Sequence, residues 1–251
     1  MILADVRHRL TRDDAQVALR LVGRESEMAY ASAEAALRDA GIDVLLDDPR
    51  LLDALLDPHP ATRTAGHPAM HASDLLFVYV VVRHALLAAE LSDRVVADYI
   101  SSLLVHFGRR DRAWRLGDND DATYDTLVAI SADVATTDAR RSFLARVHLG
   151  NHALWLSGVF PDFIAYRRAR RGGPDLEYYE SLGRRGFELA ADHRLAAEYG
   201  VVSLFAAVAQ HFARLRIALN GISDTLLFPD NSSPDRILRQ VSNTVRLRAS
   251  A

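Results

Sequence analysis

Residues 141–160 read RSFLARVHLGNHALWLSGVF, and how this stretch is interpreted decides the fold. From 147 to 160 there is no carboxylate and no guanidinium; the titratable groups are His148 and His152. On a helix turning about 100° per residue, Leu144, Val147, Asn151 and Leu154 share one side. His148, His152, Trp155 and Val159 share another, with Leu149 and Leu156 beside them. A helix with no wet face has to be enclosed by other helices. It is too interrupted to offer the roughly 18 unbroken apolar residues of a membrane span. The expected fold is therefore all-α, a single multi-helix domain packed around a central buried helix.

Composition bounds the rest. A chain of 251 residues makes one large domain or two small ones and buries a substantial core either way. Hydrophobic and charged fractions of 49% and 25% are those of an ordinary folded chain. A net charge of −3 creates no global attraction for nucleic acid or anionic lipid, so neither nucleic acid nor membrane is an expected partner. The opening MILADVRHRL carries charge where a signal peptide would be apolar, so a cytoplasmic protein is expected.

Two absences exclude whole classes of chemistry. Without cysteine there can be no disulfide, thiolate nucleophile, zinc ribbon or cysteine-bound cluster. All 30 basic residues are arginine, and lysine is absent. P-loop NTPases, ordinary protein kinases, Schiff-base enzymes and Ser–Lys hydrolases need an amine that this chain lacks. Codon bias towards Ala, Asp and Arg accounts for the missing lysine more simply than selection against its modification.

Helix signals recur along the chain. Thr11 with Asp14 forms a capping-box pattern that opens a helix ending near Gly23. Ser26 and Gly41 bracket a second, and Asp48-Pro49 starts a short third. Residues 58–71, with three prolines and a glycine, form an irregular connection. The following LLFVYVVV has strand propensity, but its continuation into RHALLAAE argues for one buried helix over 73–91. Ser92 and Gly108 bound the next. Thr137 is placed as the cap of the central helix, which Gly158 and Pro161 end or bend. A short helix from Asp162 precedes helices over 175–199 and 201–219, separated by Gly200. Near Phe228 the character changes. The expected layout is a helical domain over 1–228, of about nine or ten helices, and a C-terminal linker with an amphipathic extension over 229–251.

The chemistry-bearing residues cluster on the central helix. His148 and His152, at i and i+4, project on one face and can chelate one metal ion. Further ligands have to come from other helices: His84 and Glu188 complete the expected set, with Glu90, His106, Asp192 and His193 as reserves. No HExxH, Glu-x-x-His or His-Asp pair accompanies them. Asn151, Trp155 and Tyr179 are the expected lining of a pocket beside the histidines. His59, His67 and His71 fall in the proline-rich connection and read as solvated.

Three other patterns carry weaker signals. Asp120, Asp121 and Asp125 spell DDxxxD, which resembles the magnesium-diphosphate motif of all-α isoprenoid synthases. No second such motif is evident on a facing helix, and carboxylates at a helix N-terminus complement its dipole. Arg141 with His148, and Arg146 with His152, fit the loose Arg-x(4–6)-His spacing of HEPN-type ribonucleases, which use histidine for proton transfer and arginine for phosphate. Arg167, Arg168, Arg170 and Arg171 form a basic turn suited to phosphate or an acidic partner surface, but Asp175, Glu177 and Glu180 close by offer an internal alternative, and a solvated turn with local ion pairs is the default expectation. Gly183 and Gly186 each weaken their helix by about 1 kcal/mol against alanine, which suggests close contact with the central helix.

The leading functional expectation is a non-catalytic interaction or ligand-responsive module, a homo-oligomer or the partner of another protein. The competing one is a histidine/carboxylate enzyme using a divalent transition metal at His148 and His152. The weakest is a metal-free, HEPN-like ribonuclease.

Overall fold

Side-chain caps start most of the helices. In the computed structural model, which describes residues 2–57, 72–109, 112–116, 123–124 and 126–249, α1 (Arg12–Val22) opens on the expected box. The Thr11 hydroxyl accepts from the Asp14 amide at 3.2 Å, and the Asp14 carboxylate accepts from the Thr11 amide at 2.8 Å. Ser26 caps α2 (Glu27–Ala40), which ends at Gly41 with φ 78°. A short α3 (Asp43–Leu46) leads to α4 (Pro49–Leu56), capped by Asp48.

The strand-like LLFVYVVV lies inside α5 (Asp74–Ala88), which is capped by Ser73. Leu76, Tyr79, Val80, Val82 and Leu86 are all buried there, and this burial outweighs the modest helix propensity of valine. The helix stops three residues short of the expected end. Glu90, with φ 60°, takes the left-handed position of a C-terminal turn, closed by the Leu91 amide donating to the Leu86 carbonyl at 2.9 Å.

Next come α6 (Arg94–Phe107), α7 (Leu127–Val134) and the central α8 (Ala139–Val159). Their caps correct two expectations. Asp93, not Ser92, accepts from the first amides of α6, and Asp138, not Thr137, does so for α8. Gly158 lies inside α8, and Pro161 is the first residue of α9 (Pro161–Arg171), where its missing N–H costs nothing.

The helix expected over 175–199 is divided. α10 (Leu176–Ala191) stops before His193, whose Nδ1 accepts from the Leu195 amide to cap α11 (Arg194–Glu198). The helix expected over 201–219 is divided too, into α12 (Val202–Gln210) and α13 (Phe212–Ile222), which continues into a π-helical turn, Ser223–Leu227. Last comes α14 (Pro234–Ala249). The described residues therefore hold fourteen α-helices and no strand. Thirteen of them fall within 1–228, against the nine or ten expected there; the excess is the short α3 together with the breaks at Asp192-His193 and His211, where neither glycine nor proline marks the sequence. No single described helix is long and apolar enough to cross a membrane; α12 and the helix after it reach that composition together only across a 73° bend.

α8 is the centre of the molecule. It packs most extensively on α10, α7 and α13. The α8–α10 contact is backbone to backbone: a Cβ on Gly186 would sit 2.7 Å from the Gly150 nitrogen and 3.0 Å from the Arg146 carbonyl oxygen. A Cβ on Gly183 would meet Phe212 at 2.3 Å and Ala153 at 2.8 Å. The expected close glycine contact with the central helix is present. The C-terminal carbonyls of α8, which have no partner within the helix, are taken up by α13 and the π turn. Asn220 Nδ2 donates to the Ser157 and Gly158 carbonyls at 2.8 Å each, and the Ser223 hydroxyl donates to that of Val159 at 2.7 Å.

Candidate functional site: a buried histidine pair behind an arginine-lined cleft

His148 and His152 sit one turn apart on α8, 4% and 0% exposed, with ring centroids 5.6 Å apart. His152 Nδ1 lies 2.8 Å from the Ala113 carbonyl oxygen. A carbonyl only accepts, so Nδ1 carries the proton and Nε2 is left with a lone pair. Neither Nε2 has a hydrogen-bond partner among the described residues. The rings around the pair are aromatic. Phe107 and Tyr124 lie 5.7 and 6.2 Å from His148, and Trp114 stands edge-on to His152 at 5.1 Å. Burial, with His152 beside it, lowers the His148 pKa to about 3; burial also lowers that of His152, against the hydrogen bond to Ala113. Both imidazoles are neutral at pH 7.

The other expected site residues are distributed differently. Asn151 faces α6, where its Oδ1 accepts from the Tyr99 hydroxyl at 2.8 Å. Trp155, half-buried, packs against Phe107 at 5.8 Å and Phe160 at 5.4 Å. His84 Nε2 donates to the Leu46 carbonyl at 3.1 Å, at the far end of α3. Glu188 is on the side of α10 away from the glycine contact and pairs with Arg184 and Arg185 at 3.7 and 3.6 Å. The expected ligand set of His148, His152, His84 and Glu188 is thus not brought together, and no three of His, Asp and Glu converge among the described residues. His84 is held by α3, and the helix register that buries Gly186 turns Glu188 outward.

Arg141 donates to Asp133 at 2.8 Å and to the Tyr124 hydroxyl at 2.6 Å, and Arg146 donates to the Leu189 carbonyl at 3.0 Å. Both arginines of the ribonuclease pattern have structural partners. His59, His67, His71 and the DDxxxD residues Asp120, Asp121 and Asp125 lie outside the described residues.

Trp114 also belongs to a second feature, which residue patterns along the chain did not reveal. A cleft of about 850 Å³ opens between the start of α7, α9 and the start of α10. Trp114, Tyr179 and Leu156 line it together with the more exposed Phe163, Tyr166 and Tyr178, and Arg115, Arg167 and Arg171 supply its charge. Tyr179 is therefore a cleft residue rather than a neighbour of the histidine rings. The only sequence trace of the cleft is Phe163-x₃-Arg167-x₃-Arg171, which places one ring and two guanidinium groups along one face of α9.

Compared with family models, curated proteins and solved structures, the chain matches none.

Proposed function

We propose that this chain is a non-catalytic helical interaction protein that pairs with a second copy of itself through the outer face of α14. One observation carries the reading: α14 buries Arg236 and Arg239 and exposes most of its aliphatic residues. Inward, Arg236 donates to Asp162 at 3.0 and 2.6 Å, and Arg239 donates to Asp162 at 3.0 Å and to Asp224 at 2.8 and 3.1 Å. Asn243 bonds both Asn220 and Arg216. Outward, Ile237, Leu238, Val241 and Val245 are each more than half exposed.

This polarity argues for a helical occupant. Leu238, Val241 and Val245 follow the 3–4 spacing of a helix–helix seam. A contiguous apolar stripe of this kind on a surface marks an interaction site. The exposed residues between them, Gln240, Ser242 and Thr244, are uncharged, so a second copy meets no like charge across the seam. An antiparallel copy sets Leu238 against Val245 and brings the acidic first turn at Asp235 near the other copy's basic last turn, with Arg246 and Arg248. One face of a 16-residue helix offers less than the roughly 800 Å² per partner of a standard interface. The dimer is therefore expected to be concentration-dependent.

Sedimentation over a concentration series tests this. The wild-type chain should move from monomer to dimer, and Leu238→Glu with Val241→Glu should remain monomeric with unchanged helical circular dichroism. A wild-type chain that is monomeric at every concentration, or a double variant that associates equally well, overturns the proposal.

The two unpartnered Nε2 atoms support a second, weaker reading, a transition-metal site at His148 and His152. Elemental analysis of the purified protein decides it: stoichiometric metal, lost in His152→Ala, supports it, and metal-free protein rejects it.

A further inference from the structure

We infer that the cleft between α7, α9 and α10 binds a planar aromatic molecule carrying an anionic group. This site shares no residue with the α14 seam and stands or falls independently of it. Its volume, about 850 Å³, lies within the range of pockets that enclose small ligands.

The lining sets the chemistry. Phe163, Tyr166 and Tyr178 line its more exposed part, and Trp114 and Tyr179 its more buried part. Such rings stack on a planar ligand. No carboxylate lines the cleft among the described residues, while three guanidinium groups do. Arg168, the neighbour that points elsewhere, pairs with Asp175 at 3.4 Å. Arg115, Arg167 and Arg171 form no ion pair with any described residue. The Arg167 guanidinium lies over the Phe163 ring, 5.6 Å from its centroid, so cation–π contact orients it before any ligand arrives.

Arginine's planar fork suits carboxylate, sulfonate and phosphate alike, so an anionic group in the cleft answers the guanidinium-bearing residues that line it. A neutral aromatic ligand would leave all three arginines unanswered. An inorganic anion would leave the five rings unused.

Two dyes that differ by one charge provide the test. 8-Anilinonaphthalene-1-sulfonate and its uncharged analogue N-phenyl-1-naphthylamine are titrated into the full chain and followed by fluorescence. The sulfonate should bind saturably at one site per chain, and more tightly than the neutral dye. Arg167→Ala with Arg171→Ala should weaken it by about tenfold or more, the scale of one lost hydrogen bond to a charged group, and should leave the neutral dye nearly unaffected. Tyr178→Ala should weaken both dyes. Leu238→Glu with Val241→Glu, on the α14 face, should weaken neither. Equal affinity for the two dyes, undiminished sulfonate binding in the double arginine variant, or loss of binding in the α14 variant overturns the proposal. Both arginines lie at the surface, so an unchanged circular dichroism spectrum and melting temperature will establish that the variant is folded.

Discussion

His148 links stability to pH with a definite sign. In the unfolded chain it takes up a proton as pH falls through about 6.5; in the folded chain burial delays this until about 3. The unfolded state therefore binds more protons across that interval, and stability declines steadily with acidification between the two values and no further below them. His152 adds in the same direction, and the other titratable groups facing the ring are His106 on α6 and Tyr124. Asp47 and Asp162 act lower. Burial raises their pKa, but hydrogen bonds from Arg83 and Arg94, and from Arg236 and Arg239, outweigh it, so their stabilisation is lost only below about 3.8. His148→Phe should flatten the decline between pH 6.5 and 4, as read by urea unfolding at several pH values; an unchanged slope would refute the assignment. Glu90 permits a second test. The turn after α11 uses Gly200 at φ 67°, with the Val201 amide bonded to the Ala196 carbonyl, whereas the equivalent position after α5 holds Glu90 at φ 60°. Glu90→Gly should relieve about 1 kcal/mol of left-handed strain and raise the melting temperature. Caps were legible at this scale because they are local: Thr11, Ser26 and Asp48 each act within three residues. Ser92 beside Asp93, and Thr137 beside Asp138, were ambiguous because both members of each pair can cap.

Between elements, small residues decide the packing. Gly150 and Gly186 let α8 and α10 approach closely: a methyl group on Gly186 meets backbone atoms of α8 that cannot rotate away, and one on Gly150 meets the Phe187 ring. Gly186→Ala should destabilise by about 1–3 kcal/mol, the range for overpacking, despite alanine's better helix propensity. Gly221 in α13 is the control. Nothing lies within 4 Å of a Cβ there, so Gly221→Ala should stabilise by about 0.5–1 kcal/mol. Chemical denaturation of both variants checks the pair, and matching signs would contradict the geometry. The central helix was readable because an uncharged run from 147 to 160 has one physical solution, enclosure. The cleft was not readable. Its walls come from the turn at Trp114, the start of α7, Leu156, α9 and the start of α10, and no pattern along the chain links segments brought together only by folding.

For the molecule as a whole, the orientation of α14 is the feature that periodicity could not supply. An amphipathic pattern separates two faces of a helix but does not say which one is inside. Here partners distant in sequence decide it: Asp162 on α9, Asp224 in the π turn, and Glu180 on α10, which receives hydrogen bonds from Arg216 and Arg246. Asp224 and Glu180 are well enclosed, with 7% and 11% of the side chain exposed; α14 supplies the cations that compensate Asp162 and Asp224, and it adds Arg246 to the Arg216 that already pairs with Glu180. Neighbouring substitutions on this helix should therefore behave in opposite ways. Arg239→Leu leaves Asp224 and one oxygen of Asp162 short of their partner, and should lower stability by about 3–5 kcal/mol, the scale of breaking one side of a buried pair. Leu238→Glu, one residue away on the outer face, should change stability by no more than about 0.5 kcal/mol while removing the tendency to associate. Thermal unfolding at a concentration where the chain is monomeric, paired with sedimentation at higher concentration, measures both effects. If Leu238→Glu unfolds the chain as readily as Arg239→Leu does, the aliphatic face is the buried one, and both the orientation of α14 and the dimer seam built on it are wrong.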